Sequence, residues 1–223
     1  CSTGTQTCLT GGTWDACQGE VGPVAEDVNG CNGLDDDCDG VVDEDLPGDT
    51  YETNDTCAQT RDTPAPSGGN AGELWEGDPP GELQGTIYPA ADVDYYHFQA
   101  IELAHITCGF GDDQCFIVEV TLTLPSDLDS SDVLATVMPD FDNDCANGTD
   151  GAFDSNTTGT WGTGSSGNAQ WTFAVQWAGE CNPLFSDDLD FFISVESVNN
   201  AQSCSDYTLT YEMLYLGDDV ACP

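Results

Sequence analysis

The sequence predicts an all-β chain: an antiparallel β-sandwich, jelly-roll-like, preceded by a small disulfide-rich, calcium-binding module. Three observations predict it. Short alternating or β-branched runs recur from residue 83 onward, with turn-rich stretches between them. No segment sustains a helical period with caps. The first 47 residues hold Cys1, Cys8, Cys17, Cys31 and Cys38, with frequent glycine and few apolar residues.

Residues 1–47 show no lasting period of 2 or 3.6. A segment of this size cannot bury an adequate core, so disulfides and metal must hold it. Its five cysteines are an odd number, so one of them should reach Cys57 or beyond. Residues 48–223 form the second domain. Its expected strands are 83–88, 93–101, 115–124, 133–138, 169–178, 189–198 and 207–216. In the run from Gln170 to Trp177, alternation puts Trp171, Phe173, Val175 and Trp177 on one face. The run from Tyr207 to Tyr215 reads as another half-buried strand. Residues 63–82 and 139–168 read as long loops, of the kind that are functional or metal-stiffened. Seven or eight short strands with intervening turns argue for a sandwich.

Charge excludes several functions. The chain carries 42 Asp plus Glu against one basic residue, Arg61, for a formal net charge of −41. Nucleic acid is held by cationic side chains that release counterions, and these are missing. An anionic membrane surface would repel the chain. A phosphate loop would lack its lysine. No apolar run reaches the roughly 18 residues of a membrane span. Self-repulsion on this scale opposes compaction unless cations neutralise it, so a divalent cation or a very salty medium is the first partner implied. Hydrophobic residues at 39% nonetheless support a real core.

Twelve cysteines with only two histidines, and without CxxC spacing, read as up to six disulfides formed in an oxidising compartment. The sequons at Asn54, Asn147 and Asn156 agree with export. The chain opens at Cys1 without an initiator Met or signal peptide, which reads as a processed product or a fragment. The expected location is the cell surface or the extracellular medium.

Three acidic clusters carry the chemistry. The first runs from Asp35 to Asp45. Oxygen ligands at alternate positions followed by a glycine turn form a calcium-loop pattern. Asp35, Asp37 and Asp39 would supply side-chain oxygens and Val41 its carbonyl. Asp43 would coordinate directly or through water, and Glu44 belongs to the same candidate set. Leu46 stands where an EF-hand wants glutamate, and the flanks are not helical, so the loop is not an EF-hand. The second cluster joins Tyr51-Glu52-Thr53-Asn54-Asp55 to Asp92-Val93-Asp94-Tyr95-Tyr96-His97-Phe98. A short acidic segment and two acids entering a strand can clamp one cation from two sides of a sandwich. Alternation turns Tyr96 and Phe98 into the core. The third is Asp140, Asp142 and Asp144, where Cys145 rather than glycine follows. More than one Ca2+ is therefore expected. Each extracellular-type site, at tenfold excess over its Kd, adds about 1.4 kcal/mol.

Two resemblances follow from these residues. Cys8, Gly12, Trp14, Cys17, Gly19, Pro23, Glu26, Cys31-Asn32-Gly33, Asp35 through Gly40 and Val42-Asp43-Glu44 resemble the CNGxDDDCDGxVDE metal-binding motif of secreted bacterial proteins. That motif is common in large surface proteins of myxobacteria. The resemblance implies a secreted, disulfide-bonded, metal-binding module. Residues 50–215 resemble the bacterial pre-peptidase C-terminal domain, a β-sandwich with an ExND start and a DxDxYxF strand. Carried over, that resemblance implies Glu52, Asn54, Asp55, Asp92 and Asp94 as calcium ligands. Thr50 stands where some members have a further acid.

Catalysis has little support. His97 faces outward by alternation, His105 has no nucleophile motif near it, and no GxSxG occurs. The chain reads as a non-enzyme. Trp171 and Trp177 read as core, while Trp75 and Trp161, in loops, suit contact with sugar or another subunit. The expected function is a secreted, calcium-binding, disulfide-stabilised structural protein, a self-assembling filament subunit or adhesin. The alternative is an accessory glycan- or protein-binding module of a larger secreted hydrolase.

Overall fold

The computed structural model describes residues 4–14, 18–19, 22–23, 34–35, 37–40, 49–89, 91–101, 113–140, 160–164, 167–180 and 188–218. The chain divides into two compact units, Cys1–Gly48 and Asp49–Pro223.

The first unit has little regular structure among its described residues. Isolated antiparallel bridges join Thr5 to Gln18 and Cys8 to Trp14. Leu9, Trp14 and Leu34 are exposed, consistent with a segment too short to enclose an apolar core. Cys38, Cys57, Cys115 and Cys204 are disulfide-bonded. Cys8 departs from full pairing: its thiol is free and exposed.

The second unit is built of strands. In chain order they are β1 (Asn70–Trp75), β2 (Gly81–Ile87), β3 (Val93–Ile101), β4 (Asp113–Thr123), β5 (Val133–Asp140), β6 (Thr160–Thr163), β7 (Ala169–Glu180), β8 (Leu189–Ser197) and β9 (Ser203–Asp218). They form a four-stranded sheet, β1-β3-β8-β5, and a five-stranded sheet, β2-β9-β4-β7-β6. The seven strands expected from alternation are β2, β3, β4, β5, β7, β8 and β9. The all-β, two-sheet architecture is as the sequence predicts.

Three details differ. β1 lies inside the stretch expected to be a loop, and it pairs with β3 in parallel rather than antiparallel. Its Asn-Ala-Gly-Glu-Leu-Trp run offers one deeply buried side chain, Leu74, so hydrogen bonding to β3 outweighs a weak local pattern. β6 likewise lies in an expected loop and pairs with β7. A short helix, α1 (Cys57–Asp62), also forms. Thr56 caps it, its side chain accepting from the Gln59 N–H at 3.3 Å, which satisfies one of the donors left unpaired at a helix start. Six residues are too few for a 3.6 period to be read.

The core lies between the sheets. Tyr96, Phe98 and Ala100 of β3 and Phe191, Ile193 and Val195 of β8 face Phe116, Val118, Val120 and Leu122 of β4 and Tyr207, Leu209 and Tyr211 of β9. Trp171 and Phe173 share that core, as alternation predicts. Phe98 connects the layers. Its ring stacks on Phe191 at 5.1 Å and on Tyr211 at 4.6 Å. His97 points to the opposite face of β3 but is not solvated. It is buried, stacks on Phe192 at 4.6 Å, and its Nε2 lies 2.7 Å from Asp190 Oδ1.

Candidate metal centres

Two groups of carboxylates converge among the described residues. In the first, one oxygen from each of Asp35, Asp37 and Asp39 lies within 4.8 Å of the others. The loop is wound by its own backbone. The Gly40 N–H donates to Asp35 Oδ2 at 3.2 Å, and the Asp39 N–H donates to Asp37 Oδ1 at 3.0 Å. Gly40 has φ 101°, a conformation that glycine adopts without steric cost. Asp35 Oδ1 is buried and has no hydrogen-bond partner. Val41, Asp43 and Glu44 lie outside the described residues.

The second group is Asp49, Glu52 and Asp94, again with oxygens within 4.8 Å of one another. Asp94 enters from β3 on the core side of the strand and is 1% exposed. Its Oδ2 accepts a hydrogen bond from the Tyr207 hydroxyl. Its Oδ1 is buried without a partner. Asp49 is tied at both oxygens: Oδ1 accepts from the Tyr51 N–H at 2.7 Å and Oδ2 from the Thr86 N–H at 3.2 Å. Gly85 makes room for this group. A Cβ there would collide with Tyr96 Oη, Tyr207 Oη and Asp49 Oδ2.

The group could hold a cation. Desolvation, aided by Asp92, Asp49 and Glu52, pushes Asp94 up to about 8 despite the Tyr207 hydrogen bond. Desolvation and the charges of Asp92, Asp49 and Asp55 push Glu52 up to about 7. Burial also raises Asp49. Like charges gathered around one buried carboxyl group resist ionising together. A divalent ion would remove that resistance, and three carboxylate oxygens suit a hard cation such as calcium. The orphaned Asp94 Oδ1 fits a ligand atom.

The other residues expected here do different work. Asp92 is not in the converging group. Its Oδ2 accepts from the Tyr88 N–H at 3.1 Å and its Oδ1 from the Val93 N–H at 2.9 Å, so it closes the turn before β3. Burial raises it to about 6. Asn54 is fully buried and braces β3, its Nδ2 donating to the Tyr95 carbonyl at 3.2 Å, while its Oδ1 has no partner. Asp55 is exposed and acts on Glu52 and Asp92 through its charge. Asp49 was not among the expected ligands, although an acid three residues before Glu52 is visible in the sequence. Of the third cluster, Asp140 ends β5; Asp142 and Asp144 lie outside the described residues.

Among possible contact aromatics, Trp75 is 40% exposed and donates from Nε1 to Glu73 Oε2 at 3.0 Å. Trp161 sits in β6. No helix among the described residues is long and apolar enough to cross a membrane. A scan against protein-family models finds no match to the chain, and a search of curated proteins finds none either.

Proposed function

We propose that this chain is a secreted, calcium-binding, disulfide-stabilised structural protein of the cell surface or extracellular matrix. Calcium lets its acidic subunits associate. One observation carries the reading: the buried Asp94 carboxylate, with an unpartnered oxygen, placed beside Asp49 and Glu52. A buried carboxylate without compensation costs several kcal/mol, and a bound cation offsets that. The −41 formal charge supports the same reading, since bare subunits repel and neutralised ones do not. The Asp35-Asp37-Asp39 loop is the second candidate for calcium. The disulfide-bonded cysteines support an oxidising compartment. No catalytic role is assigned to the His97–Asp190 pair.

Thermal unfolding and light scattering test this together, in millimolar calcium and then in excess chelator at fixed ionic strength. Calcium is expected to raise the Tm and to give large particles that shrink on chelation. A Tm indifferent to calcium would overturn the metal reading. A monomer in both conditions would overturn calcium-dependent association and favour the accessory binding module.

A further inference from the structure

Below the second centre lies a buried chain of hydroxyls. Tyr207, on β9, donates to Asp94 Oδ2 on β3. Tyr96 Oη lies 2.6 Å from Tyr207 Oη. Both tyrosines are fully buried, with rings edge to face at 6.4 Å. A phenol carries one proton. Tyr207 directs its one O–H at Asp94, so the hydrogen bond between the two phenols is donated by Tyr96. The order is Tyr96 to Tyr207 to Asp94, and each bond polarises the next. The donor reaches Asp94 from the opposite sheet. Asp49 is held from that same sheet, by the Thr86 N–H of β2.

We propose that Tyr207, backed by Tyr96, is the positioning residue of this centre. It occupies one oxygen of Asp94, so that only Oδ1 is offered to the ion, and it ties the ion's ligands to the five-stranded sheet. This rests on reading the centre as a cation site. Such outer partners fix a ligand's orientation and typically matter tenfold or more for affinity. A bystander phenol would satisfy its own hydroxyl without setting how many oxygens Asp94 presents.

Terbium serves as the probe, bound to the full chain and excited through tyrosine. Asp35→Asn and Asp37→Asn silence the first centre in the background used. Titration gives affinity, and emission lifetimes in H2O and D2O count the waters on the ion. Tyr207→Phe is expected to weaken binding roughly tenfold or more. It should also lower the water count by about one, because Asp94 can then turn both oxygens to the ion. Tyr96→Phe keeps the Tyr207 donor and should fall between. Background affinity and water count in Tyr207→Phe would overturn the proposal; if that variant does not fold, the same values in Tyr96→Phe would do so. Weaker binding with an unchanged water count would indicate a merely structural role and overturn it too. If Asp94→Asn in that background leaves the terbium signal unchanged, the cation site itself fails, separately from the role of Tyr207.

Discussion

Dialysed free of metal, the chain is expected to lose stability as the pH rises from 5 to 8, and to recover it at pH 8 on adding calcium. Asp94, Glu52 and Asp92 are raised to about 8, 7 and 6 in the fold, against ordinary values of 3.8, 4.5 and 3.8. Between those limits the folded chain holds more protons than the unfolded one. The stability linked to these protons is full below the unfolded values and is lost as the pH rises through about 6, 7 and 8. Asp92 raises both Asp94 and Glu52, and Glu52 raises Asp94, so their shifts do not add, and Glu52 is exposed. The net loss is on the order of a few kcal/mol, or about 5–10 °C in Tm for a chain of this size. Calorimetry at three pH values, with and without calcium, measures it. Asp94→Asn should remove about half of the slope, since Asp94 is not what raises Glu52 or Asp92. A metal-free Tm that is flat or rises with pH would contradict the buried carboxylate group. Calcium should bind more weakly at pH 5, where protons compete for the same oxygens.

The second large effect lies in the core and is indifferent to metal. Phe98→Ala should cost about 3–5 kcal/mol, or about 10 °C in Tm. The ring is fully buried and stacks on Phe191 and Tyr211 with interplanar angles of 10° and 15°. Removing it opens a cavity between the sheets and deletes two aromatic pairs, each worth about 0.5–1.5 kcal/mol beyond area. Phe98→Leu should cost less. Equal losses in calcium and in chelator would separate this effect from that of the metal centres. A loss below about 1 kcal/mol would mean that Phe98 does not join the layers.

The period of 2 made most of the sandwich legible. β3, β7 and β9 alternate so cleanly that their core faces, with Phe98, Trp171 and Tyr211, can be assigned before any coordinates. β1 could not be read this way, because Leu74 alone carries its pattern and its parallel pairing depends on β3. The candidate centre was legible in Glu52 and Asp94. Asp49 was not, because its placement depends on the Thr86 N–H, 37 residues away, and on the missing Cβ of Gly85. Asp92 shows the reverse problem. A carboxylate two residues before a candidate ligand looks like another candidate, and spacing alone does not reveal that the Tyr88 and Val93 N–H groups already occupy both oxygens.

The strand order has a consequence for how the chain is made. β9 lies between β2 and β4, yet it is the last of the nine described strands to be synthesised. A nascent chain that has released β2 and β4 still lacks the strand between them. Until Ser203–Asp218 emerges, β2 and β4 each keep an additional unpaired side, and such edges recruit other chains. Pairings this distant in sequence also close slowly. The topology thus delays completion of the sheet until late in synthesis. A ribosome stalling upstream of Ser203 would release a product that cannot complete its sheet.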